Sequence, residues 1–236
     1  MVPASEQSDR SPLPPFLMQI LFEDNHSIAV VKPAGMPVQG DLTGDLSLLD
    51  AVKLHLKEKG GKPGEAYVGL VHRLDRPVGG IVLFAKTSKG AARLSEQFRE
   101  HTVKKIYWAV VEGVPKERSG QVIQWIVKDK RTNLARAFDR ERPGAKYAEL
   151  SYRVLRSADG LSLVEIEPKT GRSHQIRLAM STLGCPILGD VKYGARRRLD
   201  RTIALFARSL SFNKAVGGEP VTVTAEPDWP FFDRKE

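Results

Sequence analysis

Val71-His72-Arg73-Leu74-Asp75-Arg76-Pro77-Val78-Gly79-Gly80-Ile81-Val82-Leu83-Phe84-Ala85 places one carboxylate between two arginines and runs straight into five apolar residues. A segment that ends in Gly-Gly and is followed by a short apolar run predicts a loop over 72–80 feeding a buried strand over 81–85. From these residues alone two readings stand: a structural turn with local ion pairs, or a carboxylate placed for chemistry.

Upstream of this loop, two apolar runs from Leu17 to Val31 flank Glu23-Asp24-Asn25-His26 and predict two strands joined by a polar turn. Lys32-Pro33-Ala34-Gly35-Met36-Pro37 is then a loop. Ser47 and Asp50 have capping-box spacing, Leu48, Leu49, Val52 and Leu56 follow helical spacing, and Gly60-Gly61 stops the run, so a helix is predicted over 47–59. A short strand over 67–71 precedes the central loop.

Downstream, Thr87 or Ser88 can cap a helix over about 89–101. The runs 106–112 and 121–128 are expected to pair as a hairpin with a long connection, and the charged span 128–142 to be an exposed arm. A second hairpin, 146–156 with 161–167, is closed by Asp159-Gly160. Ile176, Ala179, Met180 and Leu183 form one apolar helix face, with His174, Arg177 and Ser181 on another, and Gly184 ends that helix. Short strands are expected at 203–207 and 221–225. Strand-rich order with a few helices predicts an α+β fold with a mainly antiparallel or mixed sheet and flanking helices.

The 236 residues carry 37 Lys+Arg against 28 Asp+Glu, a net charge of +9. With 41% hydrophobic residues there is enough apolar material for a core, so a disordered polyelectrolyte is excluded. The excess charge is local: ten basic residues between Pro168 and Lys214 face only Asp190 and Asp200, which gives +8. Beside a polar helix face this pattern predicts a phosphate-backbone footprint, or else a charged surface that keeps the protein in solution.

Cys185 is the single cysteine, which excludes an internal disulfide and multi-cysteine zinc sites and fits a reducing, cytoplasmic setting. The first 15 residues are read as a flexible tail with neither signal-peptide nor anchor pattern, and no run reaches a membrane span. The domain is expected over 16–236, as a monomer. Phosphate-binding and dinucleotide glycine loops and the His-Glu-x-x-His helix are absent, and His26, His55, His72, His101 and His174 are dispersed. Neither metal nor cofactor is expected.

Two further segments complete the pattern: Lys105-Ile106-Tyr107-Trp108-Ala109-Val110-Val111-Glu112-Gly113 and Gly171-Arg172-Ser173-His174-Gln175-Ile176-Arg177. Together with His72 to Asp75, Ile81 to Thr87, and Gly184-x-Pro186-Ile187-x-Gly189-Asp190-x-x-Tyr193-Gly194, they resemble the RluA-like family of RNA pseudouridine synthases. The likeness runs from about Glu23 to Phe212 and includes Val30-Val31-Lys32-Pro33-Ala34-Gly35-Met36-Pro37-Val38. It departs at Val78-Gly79-Gly80, where the family commonly has Thr-Ser-Gly, at Ala179, where a histidine is frequent, and at Phe206, near a common Leu-His-Ala.

The resemblance implies a pseudouridine synthase fold with a central basic cleft, no small N-terminal RNA-binding domain and structured ribosomal or transfer RNA as partner. It implies that Asp75 is catalytic, that Arg177 orients it through an ion pair, and that Tyr107 lies against the base. A carboxylate here serves either as nucleophile or as base. His72, Arg73, Arg76, Lys105, Arg172, His174, Arg196, Arg197 and Arg198 are the expected RNA contacts, with Arg73 either filling the space of a flipped base or meeting phosphate. Strand alternation puts Lys105 and Tyr107 on one face. A non-catalytic RNA-binding protein and a base-excising glycosidase are the rival readings.

Overall fold

The computed structural model describes residues 18–60, 66–129 and 131–231, so the tail expected over 1–15 lies outside the described residues. In chain order the elements are β1 (Ile20–Glu23), β2 (Ser27–Lys32), α1 (Leu48–Gly60), β3 (Gly69–Leu70), β4 (Gly79–Ala85), α2 (Ser88–Arg99), β5 (Lys104–Glu112), β6 (Ser119–Asp129), β7 (Leu134–Phe138), β8 (Lys146–Ala158), β9 (Leu161–Pro168), α3 (Gln175–Thr182), β10 (Leu205–Asn213) and β11 (Pro220–Thr224). The strands form one sheet in the order β1-β2-β4-β10-β5-β9-β8-β6-β7, with β11 beside β10 and β3 beside β4. Among the described strands only β4 and β10 pair in parallel.

All seven residues of β4 are buried because the sheet is covered on both faces. Ile28, Val30, Val82 and Phe84 point into a core with α1 and α3, whereas Ala29, Ile81, Leu83 and Ala85 point into a second one with Leu94 of α2. Alternate residues of the same two strands thus feed two hydrophobic layers. Gly80, at φ +116°, lies so close to β10 that a β-carbon there would overlap the Ala207 backbone. That glycine permits the parallel pairing.

The helix starts follow the sequence. Ser47 Oγ donates to Asp50 Oδ2 at 2.6 Å while the Asp50 amide donates back to Ser47 Oγ, and Thr87 Oγ1 accepts from the Gly90 amide at 3.0 Å. The expected 106–112/121–128 hairpin is corrected: β5 pairs with β9 and β10, and β6 with β8 and β7. The tight β8–β9 turn, with Asp159 and Gly160 both at positive φ, pairs locally and is inserted between them, which the six-residue 113–118 connection is long enough to span. The expected exposed arm contains β7, in which Ala135 is buried between exposed neighbours. Arg136, the one charged residue of β7, is exposed on this edge strand.

Candidate active site

The loop that carries Asp75 is held mainly by backbone groups. The Val78 amide donates to Asp75 O at 3.0 Å, Gly35 to Arg76 O at 2.8 Å, and Ile203 to Pro77 O at 3.2 Å. Below it lies Lys32, fully buried, whose Nζ donates to the carbonyls of Pro33, Met36 and Arg76 at 2.9, 2.7 and 3.1 Å. Burial pulls this amine down to about 7, against the opposing pull of Asp75. Its signal in the sequence is periodicity: Ile28, Val30 and Lys32 share one strand face, so the lysine must enter the core.

His72 sits on the other side of the loop, stacked on Phe98, with Nε2 accepting the Leu83 amide at 2.9 Å. Burial, reinforced by Lys105, pulls the ring down to about 3. The side chain expected as an RNA contact is therefore a neutral strut between loop and β4. Arg76 is likewise committed elsewhere: Nε donates to Gly35 O at 3.0 Å and the guanidinium pairs with Asp41, at 3.1 Å, and Asp45. It ties the 35–45 segment to the loop rather than facing the cleft.

α3 brings the second half of the site. Gln175 locks its start by accepting from Thr170 Oγ1 and the Arg172 amide while donating to Glu149 O. Residues 175–180 are all buried, but the two faces stay distinct: Ile176, Ala179, Met180 and Leu183 pack into the main core, whereas His174 and Arg177 both reach toward Asp75. Arg177 is accommodated there because Asp190 receives it twice, Nε to Oδ2 at 2.7 Å and Nη2 to Oδ1 at 2.6 Å, with the Tyr193 ring 4.9 Å from the guanidinium carbon. The bidentate partner of Arg177 is thus Asp190. Asp75 receives only Nη1, at 3.5 Å.

Tyr107, on β5, lies opposite Ala207 and Ile166. Burial, with the nearby Asp75 carboxylate adding to it, raises its phenol well above the usual value, so it is a proton-bearing group at neutral pH. Lys105, two residues earlier, faces the same side, as the alternation predicts. Burial lowers its amine.

Asp75, Tyr107 and Arg177 line one cleft of about 690 Å³, joined by His72, Arg73, Lys105, Arg172 and His174. Arg99, His101 and Lys128 line it as well, and no single-segment pattern in the sequence pointed to them. Among the described lining residues six are Lys or Arg and Asp75 is the one carboxylate. Arg73 is exposed, whereas Arg172 already donates to Tyr147 O at 2.9 Å. Arg196 and Arg197 do not join this cleft. Their amides donate to the Glu112 carboxylate, and they line a separate hollow of about 440 Å³ at the far end of β5.

Two of the three departures from the family pattern, Gly79 and Phe206, meet in space. Gly79 is the register partner of Phe206, and a β-carbon on Gly79 would stand 3.0 Å from that ring. A bulky ring on one strand is offset by the missing side chain on the other. The loop keeps its backbone bonds.

Residues 26–182 match the family model described as RNA pseudouridylate synthase, and the chain belongs to that family. It is an RNA pseudouridine synthase, an isomerase. It is 35% identical over 218 residues to ribosomal large subunit pseudouridine synthase C of Rickettsia felis, covering 91% of this chain and 69% of that protein. It is also 35% identical over 221 residues to an RNA pseudouridine synthase, YhcT, of Bacillus subtilis, covering 90% and 69%. Among solved structures, human RNA pseudouridylate synthase domain containing 4 superposes with a TM-score of 0.74 at 30% identity, covering 88% of each chain. Among the described residues no helix is long and apolar enough to cross a membrane.

Proposed function

We propose that the chain isomerises uridine in the RNA of the large ribosomal subunit, with Asp75 as catalytic carboxylate and Tyr107 and Arg177 beside it. The observation that carries this reading is a lone carboxylate in a cleft whose other charged lining residues, six Lys or Arg, are basic, against a buried arginine and a protonated phenol. The relatives named for the large ribosomal subunit support the choice of RNA.

In the reaction the bond from ribose C1′ to uracil N1 breaks, the base turns, and C1′ joins C5. The C5 proton leaves and N1 gains one, so mass is unchanged. Asp75 acts on the sugar, either by attack at C1′ or by removal of a sugar proton. Tyr107 supports the turning base, and Arg177 holds the carboxylate. A uridine stacked in RNA must first flip out at a cost of a few kcal/mol, and exposed Arg73 fills the vacated space. Lys105, Lys128 and Arg172 meet the flanking phosphates. Arg196, Arg197 and Arg198 meet backbone farther away, since Glu112 lies five residues beyond Tyr107 on β5, about 17 Å.

The test is tritium release from RNA labelled at uridine C5, with ribosomal and transfer RNA taken from cells lacking this protein. Release from the large-subunit pool by wild type and none by Asp75→Asn, with RNA affinity retained, is expected. Release from transfer RNA alone overturns the substrate assignment, and turnover by Asp75→Asn overturns the site.

A further inference from the structure

The Tyr193 hydroxyl has one proton to give. Its oxygen already accepts the Ala135 amide of β7 at 3.1 Å, and its other polar neighbour is His174 Nδ1 at 2.6 Å. Among the described residues that nitrogen is the hydroxyl's one acceptor, so the phenol donates to it and Nδ1 is bare. A neutral ring with a bare Nδ1 carries its hydrogen on Nε2. Nε2 faces Asp75 Oδ2 at 3.7 Å.

The opposite tautomer would leave the phenol proton without an acceptor and set a nitrogen lone pair against a carboxylate oxygen. Both faults are removed by the same choice. The ring is kept neutral by its surroundings: the side chain is 4% exposed, and burial, with Arg177, Lys192 and Lys128 nearby, outweighs Asp75 and pulls it down to about 4. The backbone adds an independent sign. His174 stands at φ 57°, ψ 16°, just ahead of α3, with no side-chain capping bond. This is a left-handed conformation that glycine adopts freely and a residue with a β-carbon adopts at a cost. The imidazole is held at a position where the main chain favours its absence.

We propose that His174 is a positioning residue for Asp75: the Tyr193 hydroxyl selects the Nε2–H tautomer, and that N–H, together with Arg177 Nη1, orients the carboxylate. Tyr193 serves both donors, through its hydroxyl on His174 and its ring face under Arg177. The contacts to Asp75, 3.7 and 3.5 Å, are long and shorten when a nucleotide fills the cleft, as hydrogen bonds in unliganded sites do. The inference rests on Asp75 being the catalytic carboxylate. It gives β7, through Ala135, a defined part in holding the site.

The test has one readout that needs no catalysis. In the full chain with 15N-labelled histidine, a two-bond proton–nitrogen spectrum at neutral pH is expected to show His174 with Nδ1 bare and Nε2 protonated. His174→Gly identifies the signal by removing it, and Tyr193→Phe is expected to turn it into a tautomer mixture. An Nδ1–H ring or an imidazolium in the wild type overturns the proposal. His174→Gly relieves the backbone, so it should melt near the wild type, while single-turnover isomerisation falls about 10- to 100-fold, RNA affinity holds, and added imidazole restores part of the rate. Tyr193→Phe should slow the same step and add nothing in the His174→Gly background. A wild-type rate in His174→Gly, or additive effects of the two changes, overturns the proposal even where the tautomer is right. Turnover by Asp75→Asn overturns the site reading itself while leaving the tautomer intact, so the two failures are told apart.

Discussion

Replacing Asp190 by alanine removes both acceptors of a guanidinium that has nowhere to go. Arg177 is 6% exposed and Asp190 1% exposed, and the pair is closed by two N–H···O bonds of 2.7 and 2.6 Å. The remaining partner, Asp75, is 3.5 Å away and touches one nitrogen only. Breaking a buried pair by deleting one member costs about 3–5 kcal/mol, because the desolvated charge stays behind. In a domain of this size each kcal/mol is worth about 2–4 °C, so Asp190→Ala should melt about 6–20 °C below the wild type. Asp190→Asn retains one acceptor and should fall between them. The double change Arg177→Met, Asp190→Leu replaces the pair by apolar volume and should be more stable than Asp190→Ala, though inactive. Thermal and urea unfolding at neutral pH measure all three. An Asp190→Ala protein within about 3 °C of the wild type, a loss under about 1 kcal/mol, would refute the reasoning.

Gly79→Ser drives a side chain into the Phe206 ring and should cost about 1–3 kcal/mol. Adding Phe206→His should recover part of it, and a double-mutant cycle that is additive would break the coupling inferred from their register. Between about 3 and 6.5 the unfolded chain protonates His72 while the folded chain excludes the proton, so stability should fall as pH falls through that window, by up to about 1.4 kcal/mol per unit. Urea melts at several pH values would show it, with a shallower slope in His72→Gln, whose amide oxygen can still accept the Leu83 N–H. Changing Arg196, Arg197 and Arg198 together to alanine should weaken RNA binding and flatten its salt dependence by up to about three phosphate contacts. Titrations at several salt concentrations would show the change, with the single-turnover rate at saturating protein unaltered.

The loop from His72 to Gly80, the buried strand after it, the capped starts of α1 and α2 and the Asp159-Gly160 hairpin were all legible in the chain, because each depends on neighbours within a few residues. The resemblance also singled out Asp75, Tyr107 and Arg177, and the fold brings these three side chains to one cleft. Strand order was not legible. β5 and β6 are adjacent in sequence and separated in the sheet, because a hairpin that closes tightly forms its own pairing and the longer connection goes around it. Charge was equally misleading in one dimension. Arg196 and Arg197 counted toward the same basic segment as Arg172 and Arg177, yet backbone bonds to Glu112 place them at another hollow.

What the amino-acid sequence determined by itself was the α+β class and the family. What only the tertiary structure decided was who holds whom: Asp190 under Arg177, Lys32 beneath the loop, Tyr193 behind His174, and His72 and Arg76 spent on scaffolding. The reason is physical. A side chain's type sets what it can donate, accept or bury, but its partner is chosen by which distant strand or loop the packing brings within three ångströms, and burial then makes that choice obligatory.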